Sequence, residues 1–293
     1  MTETTAARPR GVAIPRRRRR RRHLLRHAAL YGIALFLAAI VLVPLIYVVL
    51  GGFRTTGQVA AEPVALPDPW ITTNYTEILG SELFWRQLGN SALIAAIATV
   101  VVVGCGALAA YALSRYAFRG RESLYTLFTL GLLFPVGVGI LPLYLLLRQL
   151  GLLDTALGVA LPEAAFGLPI TIVILRPFMR AVPVELEDAA AIDGCTRFGF
   201  FWRILLPLSR PALITVSILA VVTSWNMFLL PLVVLNDQSE WTLPLGVSAY
   251  STEYTEDTSR VLAFTALSMV PALAFFVFAG RRIVGGLSGA VKG

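Results

Sequence analysis

Apolar positions in this chain fall in long unbroken runs rather than at helical or alternating spacing. Six stretches are almost free of charge: Leu30–Leu50, Ser91–Leu113, Leu124–Leu147, Leu157–Leu175, Pro211–Leu235 and Val261–Phe278. A helix needs about 20 apolar residues to cross the hydrocarbon of a bilayer. A single helix satisfies its own backbone there, so helices are the form such runs take. The pattern predicts an all-α integral membrane protein of six transmembrane helices.

Composition agrees: 57% of the 293 residues are hydrophobic and 14% are charged, against about one quarter charged in soluble domains. The basic residues set the orientation. Placing the amino terminus in the cytoplasm puts 10 in the tail, 3 in Ser114–Ser123, 5 in Arg176–Arg210 and 3 in Arg281–Gly293. That is 21 inside against 4 outside (Arg54, Arg86, Arg148 and Arg260), so both termini are expected in the cytoplasm. The chain then divides into a basic tail, 1–29, and a six-span unit, 30–293. The run Arg16–Arg22 stands directly before the first span, where it reads as an anchor to anionic lipid headgroups and not as a nucleic-acid site. The apolar run after it is too long, and lacks the cleavage site, for a signal peptide.

Proline interrupts several spans: Pro135 and Pro142 the third, Pro162 and Pro169 the fourth, Pro231 the fifth. Bends are expected there, because proline removes a backbone hydrogen bond. Gly131, Gly137 and Gly139 allow close helix packing. Polar groups at depth are few. Asn226, beside Trp225, either ties two helices together or lines a pathway, and both are pathway candidates. Glu163, about two turns into the fourth span, reaches either the interface or a water-filled cavity. No chain of buried carboxylates suggests a proton relay. Cys105, Cys195, His23 and His27 show no disulfide or metal spacing.

The segment ELEDAAAIDGC, Glu185–Cys195, is a compact acidic insertion between the fourth and fifth spans. Pro183 suits a helix start, Glu185, Glu187 and Asp188 complement the positive end of the helix dipole, and Gly194 suits its end. A second short helix, Arg197–Leu206, carries an apolar face of Phe198, Phe201, Trp202 and Leu205. The loop, about 181–210, is either a knob that docks into another protein or an amphipathic connector lying on the membrane.

The loop resembles the EAA signature of permease subunits of ATP-binding-cassette importers. Asp188-Ala189-Ala190 stands for Glu-Ala-Ala, Gly194 follows after three intervening residues, and Ile204, Leu206 and Pro207 close the motif. Ile192-Asp193-Gly194, Asn74-Tyr75, Asn90-Ser91, Leu141–Tyr144, Trp225–Leu229 with Pro231, and the ending Gly289–Gly293 are similar to the carbohydrate branch, the shorter membrane subunit of maltose-type systems. The resemblance implies the transmembrane domain of a type I importer in a bacterial cytoplasmic membrane. It implies coupling to the ATPase through Glu185, Asp188, Ala189, Ala190, Asp193, Gly194, Ile204 and Pro207. It also implies three partners: a second permease subunit, an ATP-binding-cassette ATPase dimer and an extracytoplasmic sugar-binding protein. Asp188 departs from the family's usual Glu, keeping the charge on a shorter arm. No cofactor is expected and no enzymatic activity: a phosphate-binding loop needs a lysine after its glycines, and the only lysine is Lys292. Two other classes stay open, a permease for another small solute such as a glycerol-phosphate or polyol, and an ATP-independent secondary transporter.

Overall fold

The computed structural model describes residues 16–251 and 257–290, with side chains for 27, 29–251 and 257–278. Tail residues 1–15, the side chains of Arg16–Arg22, His23 and Arg26, residues Glu253, Tyr254 and Glu256, and Val291–Gly293 lie outside the described residues. The chain forms α1 (Arg16–Gly51), α2 (Thr56–Ala61), α3 (Thr73–Gly80), α4 (Glu82–Arg115), α5 (Arg121–Gly131), α6 (Val136–Gln149) and α7 (Ala156–Ala181). Then come α8 (Val184–Ile192), α9 (Arg197–Phe200), a π-helical turn (Phe201–Leu205), α10 (Leu206–Leu208) and α11 (Arg210–Trp225). The chain closes with α12 (Leu229–Val234), α13 (Leu243–Gly246), a 3₁₀ turn (Val247–Tyr250) and α14 (Thr258–Ala290).

Four of these contain stretches long and apolar enough to cross a bilayer unaided: Ala29–Gly51, α4, α7 and Thr258–Phe278 of α14. The third expected span is α5 and α6 together, bent by 98°. The fifth begins with α11, breaks after Trp225 and resumes in α12. Proline does not decide where spans break. α7 runs unbroken through Pro162, Pro169 and Pro177, and α6 through Pro142. Pro135 does sit at the bend, as the cap of α6, whereas Pro231 lies beyond the break in its span. Neighbouring helices supply the packing that keeps a proline-bearing helix in one piece.

The centre of the bundle is the α4–α7 pair. A methyl added at Gly106 would lie 2.4 Å from Thr171 Cγ2, and one at Gly167 3.1 Å from Val102 Cγ2. Small residues thus let the two backbones approach, the packing mode that lipid favours. α11 joins this pair, α14 packs on α11, and α1 touches α14 at its end. At one end of the bundle, Ala107, Tyr111, Leu175, Met179, Phe200, Phe201 and Leu205 form a buried cluster beneath the 181–210 loop.

Candidate docking loop and translocation cavity

α8 starts at Pro183 (φ −54°, ψ 138°) with Glu185 and Glu187 in its first turn, where their charge meets the unpaired N–H groups. Its end is closed by backbone alone. The Cys195 N–H donates to Ala190 O at 2.8 Å and the Gly194 N–H to Ala191 O at 3.0 Å, the paired bonds of a Schellman cap. Gly194 holds φ +77° with open space around it, so backbone conformation and not room calls for glycine. One residue past Cys195, Thr196 opens α9, its hydroxyl accepting the Gly199 N–H at 3.1 Å. Two caps back to back leave a tight elbow.

The inner face of the elbow is pinned. Ala190 is buried in the cluster beneath the loop. Arg115, at the end of α4, donates to Met179 O at 2.9 Å and Val182 O at 2.5 Å and lies 3.7 Å from Glu187. It thereby ties the last carbonyls of α7 to α8. Tyr111 stacks on Phe201, ring centroids 5.0 Å apart, and its hydroxyl donates to Arg197 O at 2.9 Å. Arg176 is buried, donating to Leu113 O at 3.1 Å and to Glu122 at 2.5 Å, with its guanidinium 4.0 Å from the Tyr125 ring centre.

Of the residues expected to couple, Glu185, Asp188, Ala189, Asp193 and Gly194 are exposed, and Ile192 beside them is 86% exposed. Ala190 is buried and Ile204 and Pro207 half-buried, so these three hold the elbow from beneath. The apolar face expected on the second helix needs correction. Phe201 and Leu205 are buried as expected, but Phe198 and Trp202 are exposed and Phe200 takes their place inside. α9 is a single turn that starts at the Thr196 cap and passes into the π turn at Phe201–Leu205, and this short two-part segment keeps Phe200, Phe201 and Leu205 on the inner side.

The second feature is a cavity of about 750 Å³ between α4, α11 and α14. Trp225 and Asn226 are on its wall, with Val222, Thr265, Ser268 and Met269. Asn226 caps α11, donating to Val222 O at 2.7 Å, and does not bridge to another helix. Glu163 is not on that wall. It is buried between α7 and α11, where Oε2 accepts the Ser224 hydroxyl and Oε1 has no partner among the described residues. Among the described residues no group of three His, Cys, Asp or Glu converges to hold a metal.

The family model of binding-protein-dependent transport system inner membrane components matches residues 102–285, a span that takes in the elbow and the α11 and α14 sides of the cavity wall. The chain belongs to this family. It is 35% identical over 260 residues to the diacetylchitobiose uptake system permease protein NgcG of Streptomyces coelicolor, covering 88% of this chain and 86% of that one. It is 35% identical over 263 residues to the arabinooligosaccharides transport system permease protein AraQ of Halalkalibacterium halodurans, covering 88% and 94%. To the trehalose transport system permease protein SugB of Mycobacterium tuberculosis it is 37% identical over 231 residues, covering 78% and 84%. The fold is shared with a solved bacterial ABC transporter involved in the import of the acidic polysaccharide alginate, at a TM-score of 0.74 and 24% identity over 89% of this chain and 96% of that one.

This transport component is stitched together differently at the far end of its bundle. Asn74 is buried and donates to Gly52 O at 2.9 Å and Arg54 O at 3.0 Å. Asn90 donates to Ser239 O at 2.8 Å and Trp241 O at 3.2 Å, and the Ser91 hydroxyl accepts the Leu243 N–H at 2.7 Å. Asp154 (φ +56°) accepts the backbone N–H of Asn236 and, at 3.1 Å, that of Asp237. Burial pulls the Asp154 carboxyl up, but these bonds and the Asn236 amide outweigh it and hold the group below its ordinary value. Tyr75, its hydroxyl 2.7 Å from Val49 O, is pushed up to about 12 by burial.

Arg115 and Tyr111 pin the elbow and Arg176 ties α7 to the end of α4 and to α5, yet sequence reasoning counted the arginines only as markers of orientation and did not single out Tyr111. Their partners are largely main-chain carbonyls, which carry no residue signature. The one available signal was position, since each stands within a turn of a span's end.

Proposed function

We propose that the chain is one of two permease subunits of an ATP-driven, binding-protein-dependent sugar importer, with both termini and the 181–210 loop in the cytoplasm. The observation that carries this is α8: an exposed face of Glu185, Asp188, Ala189 and Ile192 on an elbow closed at both ends by capping bonds. Such a helix accepts a push from a partner and passes it to the spans. The partner is an ATP-binding-cassette ATPase dimer, since Lys292 is the only lysine and has no phosphate-binding loop around it. The cargo is a carbohydrate, as the names of the relatives support, delivered by an extracytoplasmic binding protein and passed along the cavity that includes Trp225 and Asn226. The sister permease completes the pathway, and ATP-driven closure exposes it to one side at a time.

The test is a mild-detergent pull-down of the tagged full chain from native membranes. Recovery of a P-loop ATPase and a second multi-span protein is the expected outcome. Recovery of this chain alone, active in uptake after reconstitution, would overturn the reading.

A further inference from the structure

α7 is one unbroken helix whose two ends serve different features. Its last turn hands over through Val182 and Pro183 to α8, with Arg115 fastening the junction. Near its other end, roughly 27 Å away at 1.5 Å per residue, Glu163 accepts the Ser224 hydroxyl of α11. Among the described residues this is the only side-chain hydrogen bond between α7 and α11. Its place on α11 is specific. Ser224 is the residue whose carbonyl receives the Met227 N–H at 3.1 Å where the fifth span breaks, and Trp225 and Asn226 on the cavity wall follow it directly.

A carboxyl in this position is costly to keep. Glu163 is 9% exposed within a span, and its Oε1 is buried with no partner among the described residues. A buried acceptor left unmade costs stability, and intramembrane acids are rare for that reason. The neighbourhood holds a further unpaired group. Val102 meets Gly167 and, one turn on, Gly106 meets Thr171, so the same register brings the level of Glu163 to Ala98 and Thr99, and the Thr99 hydroxyl is also buried and unpartnered. If packing alone were served, an apolar side chain would do better here. One oxygen engaged and one idle suits a joint that has two arrangements.

We propose that Glu163 is a positioning residue: through Ser224 it transmits displacement of α7, driven from the α8 elbow, to the Trp225–Asn226 wall of the cavity. This deepens the importer reading above and rests on it. The joint lies on the side of α11 away from the cavity, so Glu163 acts through the helix and makes no contact with cargo.

The experiment needs no knowledge of the cargo. In the copurified complex with Cys105 and Cys195 replaced by serine, a Val222→Cys label site on the cavity wall is reacted with a soluble maleimide, with and without ATP and orthovanadate. With Glu163 present, nucleotide trapping changes the labelling rate. In Glu163→Leu the ratio with and without nucleotide falls to about one, since a wall no longer biased by the trapped state is not shifted by it, while the complex still assembles and hydrolyses ATP. Glu163→Gln, which keeps an acceptor for Ser224, restores the ratio, and Ser224→Ala repeats the loss in a side chain small enough to be tolerated. An unchanged ratio in both Glu163→Leu and Ser224→Ala, in complexes that hydrolyse ATP, overturns the joint and leaves the importer reading intact. Failure to recover any ATPase with the unaltered chain overturns both.

Discussion

The two ends of the bundle are fastened by different chemistry. Under the 181–210 elbow the fasteners are buried arginines and an aromatic stack, with Arg115 and Arg176 reaching helix-end carbonyls and acids on neighbouring elements. At the far end the ties between segments are mostly amides, a hydroxyl and a carboxylate, Asn74, Asn90, Ser91 and Asp154, each bonding main chain in another segment. The buried Arg54 there bonds carbonyls within ten residues of itself, and Arg260 meets Glu77 in the open. Arginine spans a long gap and complements the negative end of a helix, which suits a projecting element held by a few strong points. Short side chains need close backbones, which suits a cap of loops laid flat across helix ends. One end is pivoted and the other is sewn shut.

The sharpest way to break that contrast is to remove one fastener from each end. Arg115→Ala leaves two carbonyls and Glu187 without their cation, and the detergent-solubilised chain is expected to lose about 3 kcal/mol of unfolding free energy. Asn74→Ala also removes two hydrogen bonds, but neutral ones, and is expected to cost about 2 kcal/mol. Denaturant titration of the two variants checks the order, and an Arg115→Ala protein as stable as the parent would dissolve the contrast.

Two glycines sharpen it further. At Gly246 the backbone is ordinary (φ −56°) but a methyl would lie 2.1 Å from Gln87 Oε1 and 2.8 Å from Phe264 Cζ. Gly246→Ala should therefore lose about 2 kcal/mol by overpacking, seen as a lowered Tm. At Gly194 there is room but φ is +77°, and Gly194→Val should lose about 1 kcal/mol by strain. The smaller stability loss should carry the larger functional one: uptake and transporter-stimulated ATPase activity fall in Gly194→Val while membrane insertion persists. Normal uptake by that variant would count against the elbow as a coupling element.

The smallest effect is in pH. Asp154 has a folded-state carboxyl held below its ordinary value. Its contribution is therefore complete above the unfolded value of about 3.9 and fades as pH falls through the lower folded one. Thermal melts below about pH 4 should fall less steeply in Asp154→Asn than in the parent, and identical slopes would show that this stitch carries no proton linkage.

What was legible beforehand was whatever the sequence writes in residue types. The six apolar runs, the start of α8 at Pro183 and the left-handed turn at Gly194 were all read correctly. The break after Trp225 was not, because it comes before Pro231 and no breaker stands at Asn226–Phe228. The inward turn of Phe200 was missed because it shares one short helix with Phe198, and nothing in FGFFWRILL marks which of the two points in. The arginine fasteners were hidden since their acceptors are backbone atoms. The burial of Glu163 was hidden because the face of α7 toward α11 and its other faces look alike in a list of letters.

The elbow between α8 and α9 has a practical consequence for anyone handling the protein. With only Asp193, Gly194 and Cys195 between one helix's last residue and the Thr196 cap of the next, the joint has no spare links, so the heading of the exposed face is counted in residues. A tag, a reporter or even one added amino acid there would turn that face aside before it blocked anything. The segment around Val64, which is 96% exposed, lies away from that face and is where such a passenger belongs.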